Sequence, residues 1–393
     1  MDEDVLLSEF TESNRKLKKQ LKIFIPIIII LAIVCLVFLT LYILELQDDD
    51  DDDKKDINND DEKKDDDKKD DEKKDSSPLS LWKDGDAKTK IINFINSSTV
   101  ENSDNFLPKE DRIAVFDFDG TIYQETAPTY LDFQLYLYRV KEDPKYDATS
   151  EQTNIAEKIL ESINTGKFPD DLSESFYKES AKIFQNMTLD EYDKYIKQFL
   201  KKPVDGFNNL SKGNAFYKPM IELIQFLYKN DFLVYIVSGS ERFLVRAAID
   251  QHINIPANYI IGSEVNIISS NQNNMDNLNY TFETKDELIF DGEFISKNLF
   301  MNKVYHIITE IGKRPVLSFG NSFGDASMHN FAISNKKYKS MAFMIINDDT
   351  KNENGNIDKA KEMLNTCQKN KWVPISMKDD WQTIYGDNVT KVN

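Results

Sequence analysis

Two cysteines and three histidines are all that these 393 residues contain of either type. Cys35 falls in an apolar segment and Cys367 far downstream, so no intrachain disulfide is indicated and cysteine usage says little about redox compartment. His252, His306 and His329 show no metal-ligand spacing and belong to no Cys- or His-nucleophile signature, so all three read as structural or surface residues. No basic stripe appears beyond the first 22 residues. Without a basic stripe, nucleic-acid binding has no electrostatic footing.

What is present in excess is acid. The formal net charge is −19, yet residues 48–75 alone hold 17 acidic and 8 lysine side chains and carry −9 of it. The remainder is only mildly acidic. A hydrophobic fraction of 40% is ample for a core, and the length suits one large domain with an insertion, or two domains.

Residues 1–22 form a polar tail in which Arg15, Lys16, Lys18, Lys19 and Lys22 crowd before an uncharged run of 22 residues, 23–44. As a helix this run spans roughly 33 Å, which matches a hydrocarbon core. It exceeds a signal peptide's apolar region of about 7 to 15 residues, and no small-residue cleavage site follows Leu44. Pro26 sits in the first turn, where it costs little. The reading is a transmembrane signal-anchor helix. Positive charge before it, with Glu45 and the aspartates after it, makes a single-pass membrane protein with a cytoplasmic amino terminus. The remainder then lies on the extracellular or lumenal side. Residues 45–80 read as an acidic Asp/Lys-rich disordered linker, too poor in apolar side chains to offset the entropy of ordering.

Residues 81–393 read as globular. Ile113 to Phe116 is a short apolar run of the kind that fits a strand buried on both faces, and it leads straight into Asp117-Phe118-Asp119-Gly120-Thr121, where Gly120 lets the backbone turn. From Tyr123 to Tyr217 apolar residues recur at helical spacing in 130–140, 155–163 and 192–200, which predicts a helical cap over about 123–217. Phe232 to Ser240 repeats the opening design, an apolar strand ending in small hydroxyls and glycine at Ser238-Gly239. Helix is expected over 241–251, a third strand over 259–262, a loop and strand excursion over 266–294, and helix over 304–311 with Lys303 just before it. A fourth strand, 315–319, ends in Gly320-Asn321-Ser322-Phe323-Gly324-Asp325, and 340–346 adds a fifth. Strands alternating with helices predict an α/β fold with a doubly wound parallel sheet, whose reacting groups collect at the carboxyl edge.

Three strand ends therefore carry Asp117, Asp119 and Thr121, then Ser238, then Asn321 and Asp325, with Lys303 between the last two. A carboxylate approaches a phosphoryl group only if a cation and fixed donors offset the repulsion. Asp117 is the candidate nucleophile, forming an aspartyl phosphate. Asp119 is the candidate general acid and base. Thr121 and Ser238 with Gly239 are candidates for binding phosphoryl oxygens, and Lys303 supplies a compact positive charge, with Lys297 near enough to compete for that role. Mg²⁺ prefers oxygen ligands, for which Asp117, the Asp119 main-chain carbonyl and Asp325 suffice. Glu125 and Gln134, soon after the first strand, are candidates for substrate contact.

These residues resemble the haloacid dehalogenase-like hydrolase superfamily, within it the branch of phosphoserine and phosphorylcholine phosphatases. Asp117-x-Asp119-Gly-Thr121 is similar to its first motif, Ser238-Gly239 to its second, Lys303 to its third and Gly320-Asn321-Ser322-x-x-Asp325 to its fourth, in the family's order. Phe216-Tyr217-Lys218-Pro219-Met220, Ile311-Gly312-Lys313-Arg314-Pro315 and Ser376-Met377-Lys378-Asp379-Asp380-Trp381 resemble segments of a bacterial secreted group of these hydrolases. The resemblance implies a Rossmann-like core with an inserted helical cap and Mg²⁺-dependent hydrolysis of a small phosphorylated metabolite. It also implies a metal set of Asp117, Asp119, Asn321 and Asp325, with Asn321 standing where the family often has Asp. The second aspartate favours phosphate over halide chemistry. Readings from other classes are a non-catalytic cell-surface binding module, for which Asn321 is the motive, and a small-molecule phosphotransferase.

Overall fold

The computed structural model describes residues 78–125, 129–169, 172–250 and 252–392. The expected membrane span at 23–44 lies outside them, as does nearly all of the expected linker. Among the described residues no helix is long and apolar enough to cross a membrane.

Helix α1 (Asp86–Thr99) precedes strand β1 (Ile113–Phe116). The chain then leaves the sheet for helices α2 (Leu131–Leu137), α3 (Ser150–Thr165), α4 (Leu172–Lys182) and α5 (Leu189–Phe199). It returns through α6 (Lys218–Lys229) to β2 (Leu233–Glu241), α7 (Arg242–Ile249), β3 (Ile260–Ser269) and β4 (Leu288–Ser296). There follow α8 (Met301–His306), β5 (Leu317–Gly320), α9 (Ala326–Ile333), β6 (Met341–Ile346), α10 (Ile357–Asn370) and β7 (Val373–Ser376). Among the described residues these strands form a seven-stranded sheet in the order β4-β3-β2-β1-β5-β6-β7. Every pairing is parallel except β3 with β4.

The central position of β1 follows from its composition. All four of its residues are buried, as a strand covered on both faces by helices requires. On one face Phe116, Phe319 and Phe343 stack in series across β1, β5 and β6, with ring centroids 4.4 and 4.9 Å apart. Such aromatic stacking adds to the burial term and fixes how the three strands sit side by side.

The helices after β1 form a cap whose starts are chemically marked. Thr149 with Gln152, and Thr188 with Glu191, make reciprocal capping boxes at α3 and α5. The insertion departs and rejoins at one place, where Gln124 N–H donates to Ala215 O at 2.8 Å and Tyr217 N–H donates to Ile122 O at 2.9 Å. The cap also meets the β3–β4 arm, since Asn186 N–H donates to Phe290 O and Phe290 N–H to Met187 O, at 2.8 and 3.1 Å.

Several elements differ from the sequence expectation. The third strand does not stop at 262 but runs to Ser269, and the Asn- and Ser-rich stretch beyond it returns as β4, an antiparallel arm. Lys303 lies within α8 rather than before a helix, because the helical turn opens at Met301. Strand β7 was not foreseen, since Val373-Pro374-Ile375-Ser376 is short and contains proline. It pairs only with β6, and an edge strand tolerates a missing N–H.

Candidate active site

The carboxyl ends of β1, β2 and β5 converge. Asp117 N–H donates to Phe319 O at 2.9 Å, which carries the β1–β5 ladder one residue past the strand and fixes the main chain of Asp117. Gly120 has φ +74°, and a Cβ there would overlap the Asn321 amide and the Glu125 carboxylate. At Gly320 a Cβ would lie 2.6 Å from the Asp325 carboxyl group, so only glycine lets Asp325 fold back over the end of β5.

Lys303 is wholly buried, and its Nζ lies 2.6 Å from both Asp117 Oδ1 and Asp325 Oδ1. Lys297 goes elsewhere, to Asp132 Oδ2 at 3.4 Å and over the Tyr177 ring at 4.4 Å. The ammonium that touches Asp117 is therefore that of Lys303. Asp325 Oδ2 accepts from the Asn321 and Ser322 N–H groups, both at 3.1 Å, and the Asn321 side-chain amide donates to Glu125. Asp119 is held differently. Its Oδ1 accepts from Leu131 N–H at 3.1 Å, at the start of α2, and its Oδ2 accepts from the Ser240 hydroxyl at 2.6 Å.

Charge crowding follows from this packing. Burial first, then the Asp325 charge, raises Asp117 to about 7 against the pull of Lys303. Burial and the neighbouring Asp132 raise Asp119 to about 6, and burial with Asp119 raises Glu125 to about 8. For Asp325 burial works upward too, yet Lys303 and the N–H donors prevail and hold it below the usual carboxylate range. A carboxyl group whose folded value is raised stabilises the fold below its unfolded value and loses that contribution as pH rises through the folded one. The cation-free protein is thus expected to lose stability between about pH 4 and pH 8. Thermal melts across that range in a chelator should show a falling midpoint, and added Mg²⁺ should flatten the slope; a midpoint that rises with pH in the chelator would contradict this account of Asp117, Asp119 and Glu125.

Residues 114–283 match the haloacid dehalogenase-like hydrolase family. This chain carries a haloacid dehalogenase-like hydrolase domain. Solved structures to which it shows some likeness include a protein of unknown function from Anaerococcus prevotii, at 15% identity and TM-score 0.43, covering 74% of this chain and 91% of that one. Others are cytosolic 5′-nucleotidase IIIB bound to cytidine, at 11% identity and TM-score 0.43, covering 76% and 86%, and a phosphoserine phosphohydrolase-like protein from Francisella tularensis, at 15% and 0.34, covering 67% and 94%. No curated protein sequence matches.

In this hydrolase domain a cavity of 350 Å³ opens above the strand ends. Asp117, Asp119, Glu125, Gly239, Ser240, Asn321 and Asp325 line its floor side, and Tyr130, Phe133, Phe168 and Tyr177 bring aromatic rings from the cap. Four predicted site residues do not line this cavity: Thr121, Ser238, Lys303 and Gln134. Thr121 is wholly buried in the turn after β1, where its N–H donates to Phe118 O, and its hydroxyl has no hydrogen-bond partner among the described residues. Gln134 faces away because each helical residue rotates the side chain by about 100° from its neighbour, so Asp132 and Phe133 meet the cavity while Gln134 accepts from Lys212 Nζ at 2.5 Å in a separate one. Ser238 lies beneath the floor, its hydroxyl accepting from Ser240 N–H at 2.9 Å.

Sequence reasoning missed Ser240, Asp132 and the four cap aromatics. Ser240 carried a signal, since it stands two residues after Ser238 on the same extended run and so shares its face. The donor set at the floor consists of carboxylate and amide oxygens with one buried ammonium among them, which suits a hard divalent cation. Elsewhere Glu264, His306 and Glu310 come within ligating distance of one another, but Arg242 already bridges both carboxylates at 3.1 and 2.7 Å.

Proposed function

We propose that the chain is a membrane-tethered phosphomonoester hydrolase that uses Mg²⁺ and passes through an aspartyl phosphate at Asp117. The observation that supports this reading best is the division of labour between two aspartates on one cavity: Asp117 sits against Lys303, while Asp119 is held off that ammonium by the Leu131 N–H and the Ser240 hydroxyl.

In the first step an Asp117 oxygen forms a bond to phosphorus, the ester P–O bond breaks, and Asp119 gives its proton to the departing alcohol. In the second, Asp119 takes a proton from water, the water oxygen bonds to phosphorus, and the Asp117–phosphorus bond breaks to release phosphate. With a value of about 6, Asp119 holds a proton in part of the population near neutral pH and readily takes it back. Lys303 offsets charge on the phosphoryl oxygens, and Gly239 and Ser240, which line the cavity at the end of β2, are the residues that would receive them. Asp117, Asp325, Asn321 and the Asp119 main-chain carbonyl are the residues that would hold Mg²⁺, which supplies further charge neutralisation when bound.

The cavity volume suits a small phosphorylated metabolite of the kind that phosphoserine and phosphorylcholine phosphatases hydrolyse. The uncharged run at 23–44, with basic residues before it, supports a single-pass anchor with the catalytic domain extracellular or lumenal. Incubating the full chain in detergent with an aryl phosphate should release phosphate when Mg²⁺ is present and stop when it is chelated. No release under either condition would overturn the reading.

A further inference from the structure

Asn321 stands where a second carboxylate would face the cation, and the structure places another carboxylate directly behind it. We infer that Glu125, through its hydrogen bond to the Asn321 side-chain amide, fixes the flip of Asn321 that turns its carbonyl oxygen to the divalent cation, and so acts as a positioning residue for that cation. This rests on the cation dependence proposed above.

The geometry supports the inference from three sides. Glu125 accepts from the Asn321 amide nitrogen, which orients that side chain and leaves its carbonyl oxygen as the remaining donor atom. Asn321 N–H is fixed on Asp325 Oδ2 at 3.1 Å, so both ends of Asn321 are restrained by acidic groups of the same site. Glu125 and Asn321 both line the cavity that holds Asp117 and Asp325. Gly120 completes the arrangement, because any side chain there would displace the Glu125 carboxylate and the Asn321 amide together. A partner that orients a ligand typically changes metal affinity 10- to 100-fold when removed.

The test is Mg²⁺ binding by titration calorimetry on the full chain, with the thermal midpoint of each cation-free protein as a folding control. Glu125→Leu is expected to weaken Mg²⁺ binding about 10- to 100-fold, and the double variant Glu125→Leu with Asn321→Asp, whose carboxylate offers an oxygen in either flip, to restore it to within a few-fold of the wild type. Equal binding by Glu125→Leu and the wild type would overturn the inference, as would a double variant no better than Glu125→Leu. Should Glu125→Leu fail to fold, Glu125→Asp decides. Its carboxylate is one methylene too short to reach the amide, so binding should weaken likewise; binding equal to that of the wild type would refute the pairing. Absence of any Mg²⁺ binding by the wild type would instead remove the cation dependence itself.

Discussion

Asp117→Asn is expected to lower phosphate release from an aryl phosphate by a factor on the order of 10⁴ or more, the scale seen when a covalent nucleophile is deleted. The amide has the shape of the carboxylate but cannot form the acyl phosphate. The fold should survive the change. Asp117 is one of two carboxylates on Lys303, and Asp325, at the same 2.6 Å, keeps that ammonium paired after the substitution. Since burial and Asp325 already disfavour the charge on Asp117, the cation-free variant should melt no lower than the wild type near pH 7. Steady-state rates and melts on the same preparation test both halves. Retained turnover with an intact fold would remove Asp117 from the chemistry, whereas joint loss of both would leave it a structural residue.

Lys303→Met should do the opposite, damaging stability as well as turnover. The ammonium is the cation that Asp117 and Asp325 share, and all three side chains are buried. Removing one partner from a buried charge cluster costs about 3–5 kcal/mol, because the remaining charges are left uncompensated. For a domain of this size that corresponds to a fall in melting temperature on the order of 10 °C. A divalent cation that binds the same carboxylates should recover part of the loss in proportion to its concentration. The expected signature is therefore a low midpoint in a chelator that climbs with added Mg²⁺ more steeply than the wild type does. A variant that melts like the wild type in the chelator would mean that Lys303 contributes no net stabilisation to the pair.

The floor of the site was readable because its parts are strand ends. An apolar run followed by Asp, Ser-Gly or Gly-Asn names both an element and its terminus, so the sequence alone sets Asp117, Ser238 and Asn321 on one edge. The upper half resisted for a geometric reason. Whether Asp132, Phe133 or Gln134 meets the cavity depends on the rotational phase of α2, seven residues long, and nothing local sets that phase. Thr121 was misplaced for a related reason: the turn that Gly120 permits carries the hydroxyl inward, and sequence gives no sense of which way such a turn winds. Lys297 and Lys303 are six residues apart in a stretch with no strong period, and only the start of α8 at Met301 decides which reaches Asp117. The β3–β4 arm was obscured by its asparagines and serines, whose turn preferences hide strands that are paired along most of their length.

The clasp between residues 122–124 and 215–217 has a bearing on how such a protein diversifies. Because the excursion leaves and re-enters through adjacent backbone, its length and composition can drift without pulling on the strands beneath, much as a graft with neighbouring termini is accepted by its host. Selection for a new substrate can therefore rewrite Tyr130, Phe133, Phe168 and Tyr177 while the acid and ammonium chemistry below is inherited unchanged.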